Sequence, residues 1–199
     1  MPAETDDAPV SHRFFHADRG AKLREGQVLT LGPDGYSSFG RYYQKRLVHA
    51  QAIGGNINGP DFREFLLDEI RKGDPRFEAY ESRFRCFFGA NTLDEARWFA
   101  SRIDPVPTWP VPIVEVFASR FWTLDMNWMD YDCHEREDSS LSLEMHQRGL
   151  KYFREYWHSA ISNHCPSQGI RNPPRLEVLM ALPVTIGKIV GWFQPSPNC

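Results

Sequence analysis

A chain of 199 residues that is 41% hydrophobic and 14% aromatic holds material for one sizeable core and too little for two ordinary ones. Its 23 Lys and Arg against 26 Asp and Glu give a formal net charge of -3, so no global basic field draws it to nucleic acid or to an anionic membrane. The longest apolar stretches, residues 111–118 and 176–184, are strand-sized and far below the roughly 20 residues of a membrane helix, which predicts a soluble chain with no membrane partner.

The start, Met1-Pro2-Ala3-Glu4-Thr5-Asp6-Asp7, is acidic and polar and lacks the basic start and apolar run of a secretory signal. Residues 1–12 are expected to form a disordered lead-in, and residues 13–199 a single domain. Cys86, Cys133, Cys165 and Cys199 form no CxxC pair, which argues against a zinc knuckle or redox motif. Reduced thiols in a cytoplasm are the default expectation.

In chain order, Arg13-Phe14-Phe15-His16 and Gln27-Val28-Leu29-Thr30-Leu31 predict two short strands, the second closed by the turn signal Gly32-Pro33-Asp34-Gly35. Between Tyr36 and Asn58 the aromatic and basic cluster Arg41-Tyr42-Tyr43-Gln44-Lys45-Arg46 gives way to the glycine-rich residues 54–59, expected to be a mobile loop. Asp61 then caps a helix over 62–72, with Phe62, Phe65, Leu66 and Ile70 on one face. Residues 83–89 predict a strand, and Thr92 followed by Asp94 and Glu95 opens a second helix with a hydroxyl cap and an acidic first turn. Alternation over Ile113-Val114-Glu115-Val116-Phe117 marks the clearest strand, followed by an aromatic segment around Trp122 and Trp128. A charged stretch over 130–138 leads to a third helix near 141–157, and residues 175–180 and 183–190 close the chain as strands. Helices fall between groups of strands rather than alternating with them, which predicts an α+β fold.

The seven histidines show no metal-ligand spacing and no HExxH pattern, so no metal site is expected. GxSxG, Walker and GxGxxG signals are also lacking. What remains is an ordered set: Phe14-Phe15-His16, then Ser82-Arg83-Phe84-Arg85-Cys86-Phe87-Phe88 with Thr92-Leu93-Asp94-Glu95-Ala96 behind it, then Arg175-Leu176-Glu177-Val178-Leu179-Met180. In this order the chain resembles the ADP-ribosyltransferase superfamily, in particular its branch of DarT-type DNA-modifying toxins, Arr-type rifampicin-modifying enzymes and related prokaryotic proteins. The resemblance implies a split β-sheet core with flanking helices, NAD as co-substrate, and cleavage of the nicotinamide–ribose bond.

The resemblance implies that His16 bonds the adenosine ribose and that the backbone of the next residue, here Ala17 where Gly or Thr is more usual, grips the nicotinamide amide. An imidazole can serve a ribose hydroxyl while neutral near pH 7; the alternative is a His satisfied by a backbone carbonyl. Phe87 and Phe88 point to opposite sides of a strand, one to the pocket and one to the core, and Phe87 is placed at the cofactor, where an aromatic plane suits the nicotinamide ring. Ser82-Arg83 matches a Ser-Arg pair of the related proteins. Arg83 can reach the dinucleotide phosphates as a bidentate donor, and a solvent-facing Arg is the alternative.

Glu177 interrupts an apolar run, where a carboxylate is costly unless it has a partner. Its context is similar to the superfamily's catalytic Glu strand, and a carboxylate bonded to a ribose hydroxyl stabilises the positive charge that develops when the nicotinamide leaves. The alternative is the wet face of an edge strand. Asp125, within Thr123-Leu124-Asp125-Met126-Asn127-Trp128, is the second acid and is grouped with Ser82 among the cofactor-binding residues, its role mainly structural as a turn residue. Glu115 is expected to face solvent or be paired. Arg41, Tyr42, Tyr43, Lys45 and Arg46 mix cations with stacking rings in the way strand-binding surfaces do, so single-stranded nucleic acid is one candidate acceptor, with a protein or a small molecule as the alternatives. Toxin or effector activity follows from the resemblance alone.

Overall fold

The computed structural model describes residues 10–52, 59–102, 105–129, 143–161 and 173–195. In chain order they form β1 (His12–Ala17), β2 (Val28–Leu29), α1 (Ser38–Ala52), α2 (Gly59–Gly73), β3 (Cys86–Gly89), α3 (Leu93–Arg102), β4 (Val111–Ala118), β5 (Phe121–Asp125), α4 (Leu143–Trp157), β6 (Leu176–Ala181) and β7 (Val184–Phe193). The fold is mixed α+β, with two antiparallel sheets. One runs in the order β1-β4-β7-β2 and the other β3-β6-β5.

The period-two alternation of the strands sorts their side chains into layers. Phe14, Val114, Val116 and Ile186 from the first sheet meet Val178 and Met180 from the second in a core between the sheets. On the far side of the second sheet, Leu124 and Leu179 pack with Leu67 of α2 and with Phe153, Tyr156 and Trp157 of α4, at the i, i+3, i+4 spacing that aligns one helical face. On the far side of the first, Phe15 and Ile113 meet Ala96, Leu93 and Phe99 of α3. That helix starts with a capping box: Thr92 Oγ1 accepts from Glu95 N–H at 3.1 Å, and Glu95 Oε2 accepts from Thr92 N–H at 3.0 Å.

The sheets touch where Phe15 and Ala90 exchange backbone hydrogen bonds of 3.0 and 2.8 Å. Gly89 makes this approach possible: a Cβ there would lie 2.9 Å from the Phe15 carbonyl oxygen and 2.7 Å from Met180 Cε.

Several sequence expectations are corrected. The stretch from Tyr36, read as a cluster leading into a loop, contains α1. Its N-terminus is held by Ser37, whose hydroxyl accepts from Gly40 N–H at 3.1 Å and donates to the Phe84 carbonyl at 3.0 Å. The buried side of α1 is aromatic, with Phe39 and Tyr43 one turn apart and 4.7 Å between centroids, so the aliphatic periodicity that marks most helices is lacking. A Cβ at Gly40 would run into the Phe84 backbone, so this helix docks through a glycine. The strand expected from Arg83 begins only at Cys86, because residues 83–85 form a 3-10 turn capped by Ser82. The aromatic segment at Trp122 is β5, paired along β6. β2 shrinks to two residues against β7, and β1 starts at His12, inside the stretch expected as a lead-in. Residues 1–9, 54–58 and 130–138 of the expected lead-in, loop and charged stretch lie outside the described residues.

Candidate active site

A cavity of about 480 Å³ opens where the two sheets meet, walled by helices on both sides. The end of β1 contributes His16 and Ala17, β3 Phe88, and β6 Glu177; α1 adds Phe39 and Tyr43, α2 Arg63 and Glu64, and α3 Phe99. Size and character, mostly apolar walls with a few convergent polar groups, are those of a small-molecule site.

Glu177 stands on the same face of β6 as Leu179, toward α2 and α4, and is 5% exposed. The expected alternative of a wet edge strand does not hold, since β6 is the central strand of its sheet. Its Oε1 accepts from the Tyr156 hydroxyl at 2.7 Å and from Arg83 Nη1. Arg83, 3% exposed, also donates from Nε to Glu64 Oε2 at 2.7 Å and from Nη2 to Glu64 Oε1 at 3.2 Å, a bidentate pairing. Desolvation pushes the Arg83 guanidinium down, but the Glu177 and Glu64 carboxylates outweigh it and hold the group well above its ordinary value. Burial, reinforced by the neighbouring carboxylates, keeps the Tyr156 hydroxyl protonated far above the usual phenol range. The network thus fixes one oxygen of Glu177 with two donors, while Oε2 takes no hydrogen bond from either.

The reading of Arg83 as a phosphate donor is therefore corrected: every nitrogen of its guanidinium is committed to Glu64, Glu177 or Tyr156. Its face carries the rings of Phe88 and Tyr156, 5.0 and 5.5 Å from the guanidinium carbon.

His16 sits across the seam on β1. Its Nδ1 donates to the Phe88 carbonyl at 2.8 Å, so the neutral ring carries its proton there and offers Nε2 as an acceptor. Burial lowers the imidazole below its ordinary value, against the raising effects of the Phe88 carbonyl and the Asp18 carboxylate. The carbonyl partner expected as the alternative is present at Nδ1, and the residue lines the cavity. Ala17 lines the same cavity, and its carbonyl accepts from Arg19 N–H at 3.0 Å.

Of the paired aromatics, Phe88 lines the cavity, whereas Phe87 packs between the sheets with its centroid 4.5 Å from that of His16. The placement of Phe87 at the cofactor is corrected to a supporting position behind His16. Ser82, expected at the cofactor, instead donates to Asp68 at 2.7 Å and accepts from Phe84 N–H at 3.3 Å, pinning α2 to the 3-10 turn away from the cavity lining. Asp125, grouped above with the cofactor-binding residues, is fully buried and is not part of the cavity lining; its Oδ1 accepts from the backbone N–H groups of Asn127 and Arg175, both at 3.0 Å. Glu115 is paired with Arg13 at 3.2 Å.

The cationic and aromatic cluster lies on α1. Tyr42 is 55% exposed, and Arg46 lies over its ring at 5.4 Å and donates to its hydroxyl at 3.2 Å. Tyr43 turns inward against Phe39 and lines the cavity, and Lys45 is exposed. Arg41, one turn from Lys45, is partly buried. The Tyr42 and Tyr43 rings meet edge to face with centroids 5.2 Å apart, Tyr42 on the exposed side and Tyr43 on the cavity side.

Glu64 and Tyr156 were beyond the reach of motif reading. Glu64 occupies the buried face of α2 together with Leu67 and Asp68, and two acids at that spacing beside a buried leucine are the only mark it leaves in the sequence. Tyr156 shares its spacing with Phe153 and Trp157 and reads as plain core. No protein-family model matches the chain, and no curated protein is significantly similar to it.

Proposed function

We propose that the chain is an NAD-dependent ADP-ribosyltransferase, built on the split-sheet core that its motif order resembles. The observation that carries this reading is the state of Glu177: a buried carboxylate on the cavity wall, one oxygen held by Tyr156 and Arg83, the other left for a ligand hydroxyl. In this reading NAD enters the cavity as substrate, its rings meeting the aromatic walls of Phe39, Tyr43 and Phe88. Glu177 Oε2 accepts from a ribose hydroxyl, and His16 Nε2 accepts from a hydroxyl of the second ribose. As the bond between ribose C1′ and the nicotinamide nitrogen breaks, its electron pair leaves with nicotinamide, which becomes neutral. Positive charge grows on the ribose, and a carboxylate already fixed in place stabilises it without reorganisation. The acceptor supplies the new electron pair and loses a proton.

For the acceptor, Tyr42, Arg46, Lys45 and Arg41 on α1 support a single-stranded nucleic acid, and a protein is the competing class. The reading is tested by incubating the purified chain with adenylate-labelled NAD and cell lysate, then separating protein, DNA and RNA while nicotinamide is measured. Release of nicotinamide with label in one fraction is expected. Release with no labelled macromolecule means water is the acceptor and the protein is a glycohydrolase. Binding of NAD by calorimetry with no release identifies a silent module and ends the transferase reading.

A further inference from the structure

We infer that Arg63 is the anion seat of the cavity, receiving a phosphate of a nucleotide ligand. The inference deepens the dinucleotide reading and rests on it. Glu177 and Glu64 share one buried cation, Arg83, so that cluster carries a residual negative charge and repels phosphate. A phosphorylated ligand must find its positive partner elsewhere on the wall.

Arg63 meets the requirement. It lines the cavity one residue before Glu64, and its one hydrogen bond among the described residues runs from Nη1 to the Met129 carbonyl at 3.2 Å. Its Nε is out of solvent and has no hydrogen-bond partner, and among the described residues no carboxylate pairs with it. An unanswered guanidinium N–H away from water is costly to leave so, and the cost is recovered when an anion arrives. The planar fork is anchored at Nη1 by Met129, and a small rotation of the side chain that brings the shielded Nε to the cavity together with Nη2 presents the edge that binds a phosphate bidentately. The rings of Phe39, Tyr43 and Phe88 share the same cavity, so the ligand class is one that joins a phosphate to a flat ring.

Calorimetry on the full chain tests this with four probes: NAD, AMP, inorganic pyrophosphate, and nicotinamide riboside, which has no phosphate. Arg63→Gln is expected to weaken NAD and AMP by at least about tenfold, the scale of a lost charge-assisted hydrogen bond, and to leave nicotinamide riboside within about threefold. Arg63→Lys, which keeps the charge without the fork, is expected to fall between and provides the readout if the glutamine variant fails to fold. The seat is overturned if Arg63→Gln binds NAD as tightly as wild type, if it weakens the riboside equally, or if no phosphate-bearing probe binds wild type. Arg63-dependent binding of AMP or pyrophosphate without NAD binding supports the seat and removes the dinucleotide reading. NAD binding that ignores Arg63 does the reverse.

Discussion

Arg63 and Arg83 reach the same cavity from different elements, one on α2 and the other on the 3-10 turn before β3, and their surroundings are opposite. Around Arg83 every guanidinium nitrogen has a partner: Glu64 grips two, and Glu177 and Tyr156 share the third. Around Arg63 a single carbonyl answers, among the described residues. The difference separates what the fold uses to hold the site rigid from what it leaves for a ligand. A carboxylate positioned by a closed network is preorganised for electrostatic work, whereas an open guanidinium contributes only when something binds.

The two arginines differ most in what they contribute to stability. Arg83→Met leaves Glu64 and Glu177 buried without their shared cation, and is expected to cost about 3–5 kcal/mol in denaturant unfolding. Arg63→Gln removes no ion pair among the described residues and is expected to cost under about 1 kcal/mol. Equal costs for the two would mean that Arg63 too is part of the folded network. Next in size, Gly40→Ala forces α1 off the Phe84 backbone, with an expected loss of about 1–3 kcal/mol from overpacking, read as a lower midpoint in the same unfolding series. A neutral result would mean that α1 packs more loosely than described.

A smaller effect comes from His16, whose folded value lies below its unfolded one. The unfolded chain then binds the proton first as pH falls, so the His16 contribution is complete above about pH 6.5 and is lost as pH drops through the lowered folded value. Thermal midpoints of wild type should fall below pH 6.5 more steeply than those of His16→Gln, which cannot titrate there. Parallel curves would show that the ring is not held neutral. Smallest is a chemical difference: burial raises the Cys86 thiol to about 12, so native protein at pH 8 should leave the Cys86 peptide unalkylated while denatured protein labels it fully. Labelling in the native state would place Cys86 outside the β3–β6 core.

The strands around the seam were legible because alternation and apolar runs report burial directly: β4 lies over Ile113 to Phe117, and β6 carries Glu177 where an interrupted apolar run places it. Helix α1 was not, since its inward face is built from Phe39, Gly40 and Tyr43, and a glycine with two aromatics carries no aliphatic period. Glu177 stood out because a charge inside an apolar strand demands a partner, but the identity of that partner depends on chain separations of 94 residues to Arg83 and 21 to Tyr156. Local spacing cannot encode such a meeting. The choice between Phe87 and Phe88 turned on which face of β3 meets the first sheet, and that is set by pairing with β6 and not by β3 alone.

We propose that Glu177, held by Tyr156 and Arg83, drives cleavage of NAD in this cavity. Nicotinamide release by wild type and by Glu177→Gln, with circular dichroism confirming that both are folded, tests it most directly. Glutamine keeps the shape and an oxygen for Tyr156 but removes the charge, so release should fall by at least about a hundredfold, the scale of losing a key electrostatic stabiliser. A folded Glu177→Gln variant that releases nicotinamide within about threefold of the wild-type rate, well short of the loss such a stabiliser carries, or a folded wild type that releases none, would contradict the account.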